Sequence, residues 1–314
     1  MYPFGIIDLH CDTLTAFRRQ KEPENTLNTD QAHFSFSNVP RQSNWAQCCA
    51  IFLPDELRGQ AAIDYYNHHC QSFHRQMETF SPLVHPCRNG QDVENVWNQG
   101  KIAAVLTVEN GSALAGKLER VETLAADGVK IMTLTWNGRN EIASGWDTEE
   151  GLSDFGKAVI PAMEGQGILV DISHLNDTGF FQALPYLEKP FVATHSNARS
   201  VCSHRRNLSD DQIREMVSRQ CLIGLNYYHD FLRDGGNATR EDLFLHLVHF
   251  LDLGAENCLA LGSDFDGADI PDDLNCPQKV ADLYRYMLDR GLGKELCDKV
   301  FFSNALGFFK RNLG

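Results

Sequence analysis

The sequence predicts an α/β protein of the (β/α)8 barrel class. Eight short, nearly continuous apolar runs recur along its 314 residues, and segments with helical periodicity lie between most of them. An open doubly wound sheet would show fewer strands and a glycine-rich nucleotide turn, and no such turn is present.

The elements follow in order. FGIIDLH, from Phe4, is the first predicted strand; QCCAIFL from Gln47 and IAAVLTVE from Ile102 are the second and third. ALAGKLERVETLAADG then reads as a helix closing on Gly128, since glycine readily takes the left-handed conformation that ends helices. KIMTLTW from Lys130, GILVDISH from Gly167 and PFVATHS from Pro190 give the fourth, fifth and sixth strands. LSDDQIREMVSRQ opens a helix with Ser209 and Asp210 at its N-cap, and CLIGLNY from Cys221 and CLALGSDFDG from Cys258 complete the eight. No internal repeat, low-complexity tract or linker divides the chain, so residues 1–314 are expected to form a single domain.

Composition narrows the function. A formal net charge of −14 opposes nucleic acid or an anionic membrane surface as partner and favours small substrates. The ten cysteines have no C-x-x-C spacing, and no basic leader, membrane-length apolar run or C-terminal anchor is visible, so reduced thiols and a cytoplasmic location are expected. Cys48 and Cys49 read as packing residues.

Polar residues collect at the C-terminal ends of the predicted strands: His10 and Asp12 on the first, Glu109 on the third, His174 on the fifth, His195 on the sixth and Asp264 on the eighth. A barrel builds its active site at that face, so these distant residues converge. In His10-Cys11-Asp12, strand alternation puts His10 and Asp12 on one face and Cys11 on the other, which favours a metal pair over a thiol nucleophile. Singly, a strand-end histidine or aspartate is more often a hydrogen-bonded structural residue; the joint placement makes the case. Five imidazole and carboxylate groups exceed one tetrahedral site with an open position, so two metal ions sharing Glu109 fit better. Paired ions polarise carbonyls and activate water, which is hydrolase chemistry. His68, His69, His74, His246 and His249 fall in helical segments and read as surface or packing residues.

DLHCDT, TVEN, TLTWN, LVDISH, THSNARSVCSHRRN and GSDFDG, in this order and nearly end to end, resemble the membrane (renal) dipeptidase family of the amidohydrolase superfamily, as a bacterial-type member. The resemblance implies one metal-dependent hydrolase domain over 1–314 that cleaves small dipeptides, with a D-residue often accepted at the C-terminal position. It implies two divalent ions per chain, zinc foremost: His10 and Asp12 on one, His174 and His195 on the other, Glu109 between them. Asp264 matches the catalytic aspartate that manages the proton between water and leaving amine. Arg206 matches the residue binding the terminal carboxylate, a role suited to a planar guanidinium, while Arg205 is expected at the surface. A carboxylated lysine is not expected, because Lys130 lies at the opposite end of its strand. Better-known members carry a histidine on the scissile carbonyl oxygen where this chain has Trp136, which is expected to bind substrate through its indole N–H or as a pocket wall. A homodimer is the assembly left open. The alternatives are a related binuclear hydrolase of another amide or ester, such as an N-acyl amino acid, and a non-catalytic metal-binding descendant.

Overall fold

The computed structural model describes residues 5–17 and 25–313. Phe4 of the first run and the final residue Gly314 lie outside them. Nine strands form one all-parallel sheet: β1 Gly5–Cys11, β2 Asn44–Phe52, β3 Val84–Pro86, β4 Ile102–Glu109, β5 Ile131–Thr133, β6 Leu169–Asp171, β7 Val192–Ala193, β8 Leu222–Leu225 and β9 Leu259–Leu261. Pairing runs β1-β2-β4-β5-β6-β7-β8-β9 and returns to β1, which closes an eight-stranded barrel surrounded by helices. All eight expected runs supply its staves. The ninth strand, β3, pairs with the first residues of β4, on the edge that β5 takes up farther along. Three residues ending in proline leave too little pattern to read as a strand, and Pro86 is tolerated because an edge strand can lack a donor.

The burial explains the continuous apolar runs. Inward-facing Ala46, Cys48, Ala103, Val105, Ile131, Leu169, Val192, Leu222 and Ala260 fill the barrel, and Trp97, Phe308, Phe309 and Leu313 close its lower end. The alternate residues, among them Trp45, Cys49, Leu106, Val108, Met132 and Ile223, pack outward against the helices. Both faces of each strand are therefore apolar, as a buried parallel sheet requires.

Two local features depart from simple periodicity. β1 advances three residues, Asp8 to Cys11, while β2 advances two, Gln47 to Cys49, so β1 carries a bulge. Before it, Ile7 and Leu9 face inward; after it, Cys11 faces outward beside Cys49. An unbroken pleat would have left His10 on the face opposite Leu9. The segment leading to Gly128 also differs: its helix is only Arg120–Asp127, preceded by a single turn at Gly111–Leu114, because Ala115 and Gly116 adopt left-handed backbones at φ 50° and 71°. Gly128 caps that helix at φ 98°, as expected. Ser209 caps Asp210–Ser218 and forms a reciprocal capping box with Gln212.

Candidate active site

At the C-terminal end of the barrel, the β1 bulge delivers His10, and Asp12 follows just beyond the strand. Glu109 ends β4, while His174, His195 and Asp264 lie two or three residues past β6, β7 and β9. His10 Nε2 stands 3.6 Å from Asp12 Oδ1, 3.5 Å from Glu109 Oε2 and 3.9 Å from Asp264 Oδ1. The other Glu109 oxygen, Oε1, lies 2.8 Å from His174 Nε2 and 3.7 Å from His195 Nε2. Three overlapping donor groups result: His10-Asp12-Glu109, Glu109-His174-His195 and His10-His195-Asp264.

These donors fit a metal. His10 Nε2, Asp12 Oδ1 and Glu109 Oε2 are buried without a hydrogen-bond partner, an unfavourable state unless a cation satisfies them. His174 Nδ1 donates to Asn137 Oδ1 at 3.0 Å, so its Nε2 carries a lone pair. His195 Nδ1 donates to Thr194 Oγ1 at 2.8 Å, and that hydroxyl passes its own proton to Asp171 Oδ2 at 2.6 Å. The two bare Nε2 atoms thus face each other at 2.9 Å, a repulsive arrangement that a shared positive charge turns favourable.

Protonation tendencies agree. Burial holds His174 and His195 well below the usual histidine range, with the charges of Arg206 and His10 adding to it, so both stay in the neutral form that can bind a cation. Burial, then the charge of Asp12, pushes Glu109 up to about 8. Burial also raises Asp264, against the pull of His10 and of Asn226, whose Nδ2 donates to Asp264 Oδ2 at 3.0 Å. Burial would lower His10, but Glu109 and Asp12 outweigh it and raise it. A divalent cation among these groups would return the carboxylates to their ionised form.

Above the donors lies a cavity of about 370 Å3, walled by Phe52, Trp136, Tyr228 and Phe231 with Asp264 and Gly267 on its rim. Trp136 is half-buried, its ring edge-to-face with Phe52 at 4.8 Å. Arg206 lies against Phe231, its guanidinium carbon 5.6 Å from the centre of that ring; its Nη atoms donate to Ser196 Oγ and His195 O, each at 2.9 Å, and its buried Nε has no partner. Burial lowers it to about 10, which leaves it charged at neutral pH. Arg205 instead pairs at the surface with Glu149. A larger hollow of about 460 Å3 near β3, lined by Phe73, Cys87 and Arg88, contains none of these donor groups.

Of the eight residues singled out in the sequence, Asp12, Glu109, Trp136, His174 and Asp264 line this cleft; His10 and His195 adjoin them in the donor cluster, and Arg206 reaches His195 O and the Phe231 ring. Reading the sequence missed the residues that hold them in place: Asn137, Thr194, Asp171, Asn226 and Gly267. All but Asn226 lie inside the motifs quoted for the family, within three residues of a selected one, but which contacts they make depends on the fold. Cys11, by contrast, is fully buried and its thiol is pushed well above its ordinary range, first by burial and then by Cys49. His246 is a packing residue: it accepts from Ala198 N and bonds to Leu232 O.

A sequence profile described as membrane dipeptidase, peptidase family M19, matches residues 1–312. The chain belongs to the membrane dipeptidase family. A Schizosaccharomyces pombe protein named as a dipeptidase is 32% identical over 197 residues, 60% of this chain but only 46% of that protein. Among solved structures, a dipeptidase described as a family M19 metallopeptidase superposes with TM-score 0.93 at 24% identity, over 99% of both chains. A Rhodobacter sphaeroides metallopeptidase, solved with a phosphinate mimic of the dipeptide L-Ala-D-Ala, superposes with TM-score 0.92 at 23% identity, again over 99% of both. As a member of this family the chain is a metal-dependent dipeptidase. Among the described residues, no helix is long and apolar enough to cross a membrane.

Proposed function

We propose that the chain is a binuclear zinc dipeptidase acting on small dipeptides, with a D-residue accepted at the C-terminal position, as one domain over 1–314. In this reading His10 and Asp12 hold one ion, His174 and His195 the other, and Glu109 bridges. The observation that carries it is the division of Glu109: Oε2 faces His10 at 3.5 Å and Oε1 faces His174 at 2.8 Å. Bound there, paired divalent ions supply Lewis-acid polarisation of the scissile carbonyl and activation of water near neutral pH.

The chain's own residues do the rest. Asp264 has Oδ2 fixed by Asn226 while Oδ1 faces the donor cluster, so one oxygen is free to take a proton and return it to the leaving amine. Arg206 presents a buried, charged guanidinium with an unused Nε–H, which suits a terminal carboxylate. Trp136 forms one wall of the cleft. We place the activity in the cytoplasm, because all ten cysteines are free thiols and nine are buried packing residues.

The test combines metal analysis with a hydrolysis screen. Protein purified without chelator should carry two ions per chain, and a His174→Ala, His195→Ala double variant at most one. With zinc supplied, L,L and L,D dipeptides should be cleaved and N-acyl amino acids should not; preference for the N-acyl compounds would move the reading to another amide hydrolase.

A further inference from the structure

Two aromatic pairs flank the donor cluster. Phe52 ends β2, and its edge-to-face partner Trp136 follows β5, the strands on either side of Glu109-bearing β4. Tyr228 and Phe231, edge-to-face at 4.7 Å, follow β8. In the ring order β1-β2-β4-β5-β6-β7-β8-β9, β4 and β8 are diametrically opposite, so the two pairs face each other across the barrel mouth with the donors between them. All four rings line the same cavity.

Arg206 breaks the symmetry. It stacks on Phe231 and lies outside the Phe52–Trp136 side. A dipeptide held with its carboxylate toward Arg206 and its scissile carbonyl at the donors must direct its amino-terminal residue toward β2 and β5. That side offers aromatic surface: Trp136 is half-buried and lines the cavity, with Phe52 packed against it at 3% exposure.

We propose that the Phe52–Trp136 pair is a specificity-determining wall for the amino-terminal side chain, so that the preferred substrates are dipeptides whose amino-terminal residue is large and apolar, while the carboxy-terminal side chain rests against Phe231. The inference rests on the dipeptidase reading and on Arg206 as the carboxylate-binding residue. Phe52 acts by direct apolar contact and by fixing the Trp136 ring edge-on. An apolar contact of this size discriminates by about tenfold or more.

The experiment compares kcat/KM for Phe-Ala and Ala-Phe, each divided by that for Ala-Ala within the same zinc-loaded protein, so that losses of folded or metal-loaded fraction cancel. The parent should favour Phe-Ala over Ala-Ala by about tenfold. Phe52→Ala should bring that ratio close to one without altering the Ala-Phe ratio, and the milder Phe52→Leu should lie between; Phe231→Leu should alter only the Ala-Phe ratio. A Phe52 effect confined to Ala-Phe overturns the assignment of sides, and unchanged ratios in both series overturn the wall. If the parent cleaves no dipeptide, the dipeptidase reading falls with it, an outcome distinct from cleavage with unchanged ratios.

Discussion

Cys11 sits between two donor residues yet turns its thiol outward, fully buried beside Cys49, where burial disfavours the thiolate a nucleophile needs. Cys11→Ala should therefore leave turnover largely intact, while His10→Ala or Asp12→Ala should abolish it; the reverse pattern in a dipeptide assay would restore a thiol mechanism. Asp264 invites a finer test, because its proposed work is proton transfer. Asp264→Asn keeps the shape and the Asn226 neighbour but removes the basic oxygen that takes up and returns the proton, so kcat should fall by at least ~100-fold with metal content near that of the parent. A fully active Asn variant would remove Asp264 from the chemistry. At this scale the sequence was legible where chemistry names the residue: an imidazole or carboxylate at a strand end announces itself. Asn137, which accepts from both His174 Nδ1 and Trp146 Nε1, did not, because an asparagine serves equally well as a cap or a turn and only the fold supplies its two donors.

The strands were legible because a barrel buries both of their faces, so each appears as an unbroken apolar run. The bulge in β1 was not, since it is a mismatch of one residue between two strands and neither strand records it alone. His10 and Asp12 do come together while Cys11 turns away, but through this reset of register rather than through simple alternation. The loop after β9 shows how closely an element can be fitted to a site. Asp264 and Asp266 both adopt left-handed backbones, at φ 63° and 65°, and Asp266 accepts from the backbone N–H groups of His33 and Phe34 and from Thr13 Oγ1. The turn closes on Gly267, where a Cβ would collide with Asp12 Oδ2 and Asp264 Oδ1. Gly267→Ala should therefore impair metal retention and activity together while far-ultraviolet circular dichroism stays that of the parent. A variant with full metal content and normal kcat would show that these carboxylates tolerate displacement.

Across the whole molecule, folding gathers three carboxylates and three imidazoles into a buried cluster, and the charge they carry makes stability depend on both metal and pH. In the metal-free chain Glu109 keeps its proton up to about pH 8, whereas the unfolded chain releases it near the ordinary 4.5; a raised pKa of this kind contributes stability at low pH that is lost as pH rises through 8. His10, raised well above 6.5, acts in the same direction. His174 and His195 act oppositely: the fold keeps them neutral, so they weaken it below pH 6.5, where the unfolded chain takes up protons, and contribute nothing further above it. The terms therefore oppose one another on the acid side and leave Glu109 and His10 unopposed on the alkaline side. Chelated protein should be most stable near pH 6.5 and lose roughly 1.4 kcal/mol per pH unit for each differing proton as pH rises to 8. Metal binding displaces those protons in the folded state and adds stability by mass action, so the zinc-loaded protein should show no such fall over the same interval. Urea unfolding at pH 6.5 and pH 8, with chelator and with zinc, measures both. If the chelated protein is as stable at pH 8 as at 6.5, burial does not shift the proton affinities of the cluster as described, and a cation at its unpartnered atoms loses this energetic support.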